Sequence, residues 1–472
     1  MYKKLPLLLL FLSSISIQAQ SSSKAIKQLE DNKETYANIA QQIWDWAEMG
    51  YLEEKSSALL QETLAAEGFK ITKGIAGIPT AFMAEYGSSG PVIGILGEYD
   101  ALPGLSQKAV SHQETAGGNA GHACGHHLFG TASTAAAITV KNWLKDNKKE
   151  GRIRFYGCPA EEGGSGKVYM TREGVFDDVD AVLHWHPGNQ NNASAGAALA
   201  NKSAKFRFYG VSAHAAAAPW EGKSALDAVE GMNVMVNMLR EHIPDGSRIH
   251  YVITQGGKAP NVVPNFAEVY YYARDKNRDV VMDIFEKIIN AAKGAALGTG
   301  TTMEYELIGG THELLPNLTL QKLMYDNLVK VGGYQYTEDE SAFAEEISKT
   351  LSNPKDLNST NVIQPFKEVG KAGGSTDVGD VSFAVPTAGL STATWVPGTP
   401  AHSWQAVAAG GMSISKKGMM VAAKTLGITA IDLFKSPKTI EKAKQELIER
   451  RGANFKYIPL IGNRKPALDY RK

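Results

Sequence analysis

Two spacings of apolar residues alternate along the chain. Ile26, Leu29, Ile39, Ile43 and Trp46 recur at near-helical intervals over Ser21 to Gly68, which predicts two helices, the second from Ser56 to Glu67. Apolar runs of strand length follow at Thr80 to Tyr86 and Val92 to Leu96. An Ala/Thr-rich stretch, Gly130 to Lys145, suits a helix packed tightly on a sheet, and strands are predicted at Arg152 to Gly157 and Asp180 to Leu183. Strands separated by helices belong to an α/β sheet, whose strand ends gather along one edge.

The texture changes near Asn201. From there the pattern reads strand (Ser203 to Tyr209), helix (Ser224 to His242), strand (Arg248 to Thr254), strand (Ala267 to Arg274), helix (Val280 to Ala296) and strand (Thr301 to Ile308). That β-α-β-β-α-β order is the split unit of ferredoxin-like folds. The expected architecture is therefore α/β, with helices flanking a mixed central sheet over residues 21–201 and 312–472 and a smaller unit inserted over 202–311. Beyond Pro316 helical patterns resume, 351–364 reads as a polar loop, and helices from about Gly411 to Phe434 and Thr439 to Arg450 close the chain.

The 472 residues, 43% hydrophobic, are enough for a large core and two domains. Basic and acidic residues balance at 49 each, so no global field points to nucleic acid or an anionic membrane. Arg464, Lys465, Arg471 and Lys472 read as a solvated tail. Lys3 and Lys4 precede an apolar run, Leu5 to Leu12, and small residues up to Ala19. This is a secretory signal pattern, too short to span a bilayer. It predicts removal of residues 1–19, a periplasmic or secreted protein, and no membrane contact after cleavage. With only Cys124 and Cys158, the chain is not a disulfide scaffold.

Candidate chemistry collects at the predicted strand ends. Gly97-Glu98-Tyr99-Asp100 ends one strand, Glu161-Glu162-Gly163-Gly164 follows another, and His184-Trp185-His186 follows a third. The loop Gly121-His122-Ala123-Cys124-Gly125-His126-His127 adds a thiol and three imidazoles, and His402 lies far downstream. Cys124, His126, Glu162, His186 and His402 form a mixed donor set from distant segments. Such a set suits two catalytic metal ions better than one structural zinc. Glu161 is then placed to act as general base beside Glu162. His184 and His186 share a strand face, so either could reach a metal.

Taken together, Glu98 to Pro103, His122 to His126, Glu161 to Gly164, His214-Ala215-Ala216 and His402 resemble the dinuclear metallo-amidohydrolases, the family of aminoacylase, carboxypeptidase G and indole-acetyl-amino-acid hydrolases. Gly163 to Lys167, Val175 to Ala181, Trp185-His186-Pro187 and Ser375 to Val381 most resemble its p-aminobenzoyl-glutamate hydrolase branch. The resemblance implies a catalytic domain interrupted by a dimerisation domain, hence a homodimer. It also implies two divalent ions, zinc or manganese, on Cys124, His126, Glu162, His186 and His402. His186 is preferred over His184 because it falls 24 residues after Glu162. Glu161 would be the general base, and His214 would reach the partner subunit's site to stabilise the oxyanion. Asn261 and Arg274 would hold the substrate carboxylate. The implied reaction is cleavage of the amide bond of N-acyl or aroyl amino acids such as p-aminobenzoyl-glutamate. Two alternatives stand: a dipeptidase or aminoacylase of other specificity, and a non-catalytic homologue, against which the intact Glu161-Glu162 pair argues. Where relatives in the wider family often carry Asp after Cys-Gly-His, this chain has His127.

Overall fold

The computed structural model describes residues 23–370 and 373–472; the expected signal segment lies outside them. Three helical runs open it, residues 23–31, Lys33–Trp46 and Glu54–Ala66. The expected first helix is split at Asn32, whose side-chain amide donates to the Gln28 carbonyl at 2.9 Å. Local bonding of this kind is why Asn disfavours helix interiors.

The strands in order are β1 (Lys70–Lys73), β2 (Phe82–Tyr86), β3 (Val92–Glu98), β4 (Leu102–Pro103), β5 (Ala120–Gly121), β6 (Arg152–Cys158), β7 (Ala181–Gly188), β8 (Ala200–Tyr209), β9 (Arg248–Gln255), β10 (Phe266–Asp275), β11 (Thr302–Thr311) and β12 (Thr387–Ala393). The central sheet runs β1-β2-β6-β3-β7-β12. Its β6, β3, β7 and β12 are parallel, and β2 and β1 add an antiparallel edge. Every residue of β3 is buried. A parallel strand covered on both faces must read as a continuous apolar run, as Val-Ile-Gly-Ile-Leu does. Helices His126–Asp146 and Ser413–Lys435 pack against each other and the sheet. The first begins four residues before the predicted Gly130, and this places His126 in its first turn. Trp185 is fully buried and donates its indole N–H to the Phe129 carbonyl at 3.1 Å, tying β7 to that helix.

Between β7 and the next helix of the first layer, Leu318–Val331, the chain makes a second sheet ordered β11-β8-β10-β9, antiparallel throughout. Helices Ala225–Leu239 and Arg278–Thr299 cover it over a separate apolar core that includes Phe206, Phe208, Val229, Tyr271 and Phe285. The predicted strand–helix order is present, and the spatial order 4-1-3-2 is that of a split βαβ unit. Edge strand β9 leaves Tyr251, Val252 and Ile253 exposed.

Of the basic residues expected to form a solvated tail, Lys465 and Lys472 are exposed, but the two arginines are engaged. Arg464 donates to the Ile308 carbonyl, and Arg471 donates to the Glu162 carbonyl at 2.8 Å. Ile461, Leu468 and Tyr470 carry the segment onto an apolar cluster with Tyr51, Ala160 and Tyr169. No helix among the described residues is long and apolar enough to cross a membrane.

Candidate metal and catalytic site

Parallel strands β6, β3 and β7 lie side by side, so their carboxyl ends deliver Glu161-Glu162, Glu98 with Asp100, and His186 to one edge. β7 does not stop at Leu183 but runs through Pro187, so both histidines stand within it. His186 Nε2 is 3.4 Å from Cys124 Sγ. His184 faces Gly389 of β12, where an added Cβ would lie 2.3 Å from its Nε2. The loop bearing Cys124 is set by Gly125, which takes a left-handed φ of 76° just before the helix. A Cβ there would come within 2.7 Å of the Pro187 ring, so the loop and β7 touch at this point.

Three overlapping sets of donor atoms result: Cys124, His126 and His186; Cys124, Glu162 and His402; and Glu98, His126 and Glu161. Within each set the atoms lie within 4.8 Å of one another. His402 Nε2 stands 3.0 Å from Glu162 Oε1, and His126 Nε2 stands 3.0 Å from Glu98 Oε2. Close as these pairs are, His126 Nε2, Glu98 Oε2 and Glu162 Oε1 are buried and make no well-aligned hydrogen bond among the described residues. Orphaned donor atoms in a dry setting are what a bound cation would satisfy. Burial pushes the Cys124 thiol up, so its ionisation calls for a positive charge beside it. Burial also opposes charge on His126, yet Cys124, Glu98 and Asp100 hold that imidazole well above its usual range. At Glu162 burial is outweighed by His402 and His126, which keep the carboxyl below its ordinary value. Glu161 is shifted the other way, well above the usual range, first by burial and then by Glu162 and Glu98. Adjacent carboxyls pushed apart in this way are suited to different roles. Soft thiolate, imidazole and carboxylate together fit a zinc- or manganese-type ion.

The turn that carries the two glutamates is irregular. Ala160 and Ser165 flank it at left-handed φ of 56° and 60°, and His402 has 59°. Such conformations cost on the order of 1–3 kcal/mol each and persist where the surroundings over-determine them. Those surroundings are visible here. Glu53 accepts from the Ala160 N–H at 2.8 Å, Asp100 accepts from the Glu162 N–H at 2.9 Å, and the Tyr51 hydroxyl donates to the Gly164 carbonyl at 2.7 Å. His402 donates its own N–H to the Ala123 carbonyl at 3.0 Å.

Several residues left without a role by sequence reasoning belong to this frame. Asp100 also lies 2.9 Å from His126 Nδ1, so it orients one donor ring and one donor turn together. Fully buried Lys167 spans Glu98 at 2.7 Å and Asp377 at 2.6 Å. The signal for Asp100 was its place two residues beyond an apolar strand's last carboxylate. Lys167 and Asp377 lie 210 residues apart, and no local pattern pairs them. His122 and His127 are buried and bond the carbonyls of Ile43 and Gly410 at 3.0 and 3.1 Å, so they brace the loop. Burial holds the His122 ring down to about 3, neutral and suited to that purpose.

A cavity of about 660 Å³ opens over the edge, lined by Cys124, Glu161, Glu162, His186 and His402 on one side and by Asn201, Ser203, Tyr272, Arg274 and Thr311 of the second sheet on the other. That is the size of a small-molecule pocket. Ser203 Oγ and Arg274 Nε are buried there without partners among the described residues. His126 sits behind the lining. His214 and Asn261 are not in it: both are on neighbouring loops outside the cavity, joined where the Ala215 N–H donates to the Asn261 carbonyl at 3.0 Å. The N–H groups of Ala216 and Ala217 donate to His214 Nδ1 at 3.2 Å each, so a neutral His214 ring carries its proton on the outward Nε2.

Known proteins resemble this chain over most of its length. One subunit of the p-aminobenzoyl-glutamate hydrolase of Escherichia coli (strain K12) is 43% identical over 467 residues, 93% of this chain and 97% of that one. Xaa-Arg dipeptidase of Mus musculus is 30% identical, covering 90% and 91%. A solved Bacillus subtilis structure described as a dinuclear metal binding peptidase from the M20 family has the same fold, with a TM-score of 0.60 at 16% identity over 86% of this chain and 99% of that one. The profile of peptidase family M20/M25/M40 matches residues 94–403, the stretch from β3 to the loop of His402, and the chain belongs to that family.

Proposed function

We propose that the chain is a metal-dependent amidohydrolase that cleaves the amide bond of small N-acyl or aroyl amino acids, p-aminobenzoyl-glutamate among them. The reading is carried by one observation: Cys124, Glu162, His186 and His402 of the donor sets, with Glu161, open into a single cavity whose far wall holds an unpartnered guanidinium nitrogen. Cys124, His126, Glu162, His186 and His402 would hold two divalent ions, zinc or manganese. When bound, such ions supply Lewis acidity toward the substrate carbonyl and ease ionisation of the attacking water. Glu161 takes the proton of that water and delivers it to the leaving nitrogen. A carboxyl raised well above its usual range is a stronger base than an ordinary one, which suits both halves of that transfer. Arg274 holds the substrate carboxylate, with Asn261 closing on it.

His214 donates its Nε2 proton to the developing oxyanion of a partner subunit's site. The role calls for a homodimer, and the proposed interface is β9. β9 is an edge strand with exposed apolar side chains, and Val234 and Met238 of the adjoining helix are exposed as well. Export to the periplasm or medium is part of the same reading and rests on Lys3-Lys4 and the apolar run Leu5 to Leu12. A hydrolysis screen of N-acyl amino acids, aminobenzoyl-glutamate and dipeptides, each with zinc and with manganese, tests the assignment. Turnover of an N-acyl amino acid that stops on chelation is expected. No turnover of any of them with either ion would overturn it.

A further inference from the structure

We infer that Tyr470 and Arg471 are positioning residues of the catalytic edge: they clamp the Glu162 main-chain carbonyl and so fix where the Glu161 and Glu162 carboxylates point. The Tyr470 hydroxyl donates to that carbonyl at 3.0 Å and Arg471 Nη2 donates at 2.8 Å. The hydroxyl sits in a notch made by glycines. A Cβ on Gly50 would lie 2.1 Å from it, and one on Gly164 would lie 3.2 Å away. The Arg471 guanidinium lies 4.7 Å from the Tyr470 ring centre, and the Tyr470 ring meets Tyr51 edge-on at 5.5 Å. Tyr51 itself holds the Gly164 carbonyl, so the aromatic pair grips the turn at two nearby points.

The segment that delivers these residues is anchored along its course. The Tyr169 hydroxyl donates to the Lys465 carbonyl at 3.2 Å, and Arg172 donates to the Gly462 and Arg464 carbonyls at 3.2 and 2.7 Å. Glu162 is thus held from both sides, its N–H on Asp100 and its carbonyl on the clamp. Gly163, at φ 90°, gives the turn no stiffness of its own. A guanidinium and a phenol converging on one carbonyl beside a donor carboxylate act as outer partners of the site, and loss of such partners typically weakens metal affinity or activity about 10–100-fold.

The inference rests on the metal-ligand reading of Glu162, and its test separates the two. In the full-length chain carrying Tyr470→Phe and Arg471→Ala, amide hydrogen exchange over residues 162–166 of the metal-free protein should rise about tenfold or more. Zinc affinity by chelator competition should fall about 10–100-fold, and kcat by a similar factor, with KM within about twofold. The Leu468→Ala control loosens the segment's packing without removing either donor, and should lower thermal stability while leaving zinc affinity unchanged. Unaltered exchange over 162–166, or zinc affinity within about twofold of the parent, overturns the clamp. If the parent neither binds zinc nor hydrolyses an amide, the metal reading fails instead, and the exchange result alone decides the clamp.

Discussion

At the edge of the central sheet the innermost ionisable side chains are buried and held by one another: His126 by Asp100, Glu98 by Lys167, Lys167 by Asp377. At the tips of the second sheet His214 and Asn261 lie outside the cavity, on two loops fastened to each other. The first region places several charges out of water, and the pairs among them offset part of that desolvation cost. Its geometry is set before any ligand arrives. The second region holds the His214 Nε2 outward, with no acceptor for it among the described residues. On the proposed reading, one chain therefore supplies a finished hydrolytic edge and half of an oxyanion site, and a second copy supplies the other half.

The comparison breaks most sharply at Glu161. The Glu161→Gln variant should lose about 10²–10⁴-fold in kcat while retaining metal, because general base catalysis contributes that range. Metal analysis of the purified variant checks the second half of that expectation. His214→Ala should cost about 10²–10³-fold in kcat, the size of one oxyanion donor. Co-expression of the two inactive variants distinguishes the arrangements. If His214 serves a partner, mixed dimers contain one intact site and activity returns; if it serves its own chain, none returns. Val252→Lys with Ile253→Lys on β9 should yield monomers by sedimentation with activity as low as His214→Ala. A dimer that persists and stays active would remove β9 from the interface. The smallest effect belongs to Arg274→Ala, expected to raise KM by about 1.5–3 kcal/mol of lost charge-assisted bonding and to leave kcat nearly unchanged. A fall in kcat alone would assign Arg274 to the chemistry instead.

Much of this frame is legible in the order of residues alone. β3, β6 and the β8–β11 unit announce themselves because apolar runs of strand length sit between turn residues. Ends are less legible. The helix starting at His126 reads as loop because histidines and glycines crowd its first turn, and β7 continues through Pro187 although proline argues for a stop. β1, β4 and β5 escape the pattern, each only two to four residues long. Within the site, donors on short motifs can be read as a set. Lys167 with Asp377, and Tyr470 with Glu162, cannot, since those pairs exist only once distant segments have packed.

Gly125 bears on how much change the enzyme tolerates. It binds nothing and reacts with nothing, yet it is where the Cys124–His126 loop rests on the Pro187 ring beside His186. A single added methyl group would be felt on both sides of that contact, through one neighbour at His126 and through the other at His186. Random substitution across the chain should thus find a residue without chemistry of its own whose replacement by alanine lowers activity by displacing two donors at once.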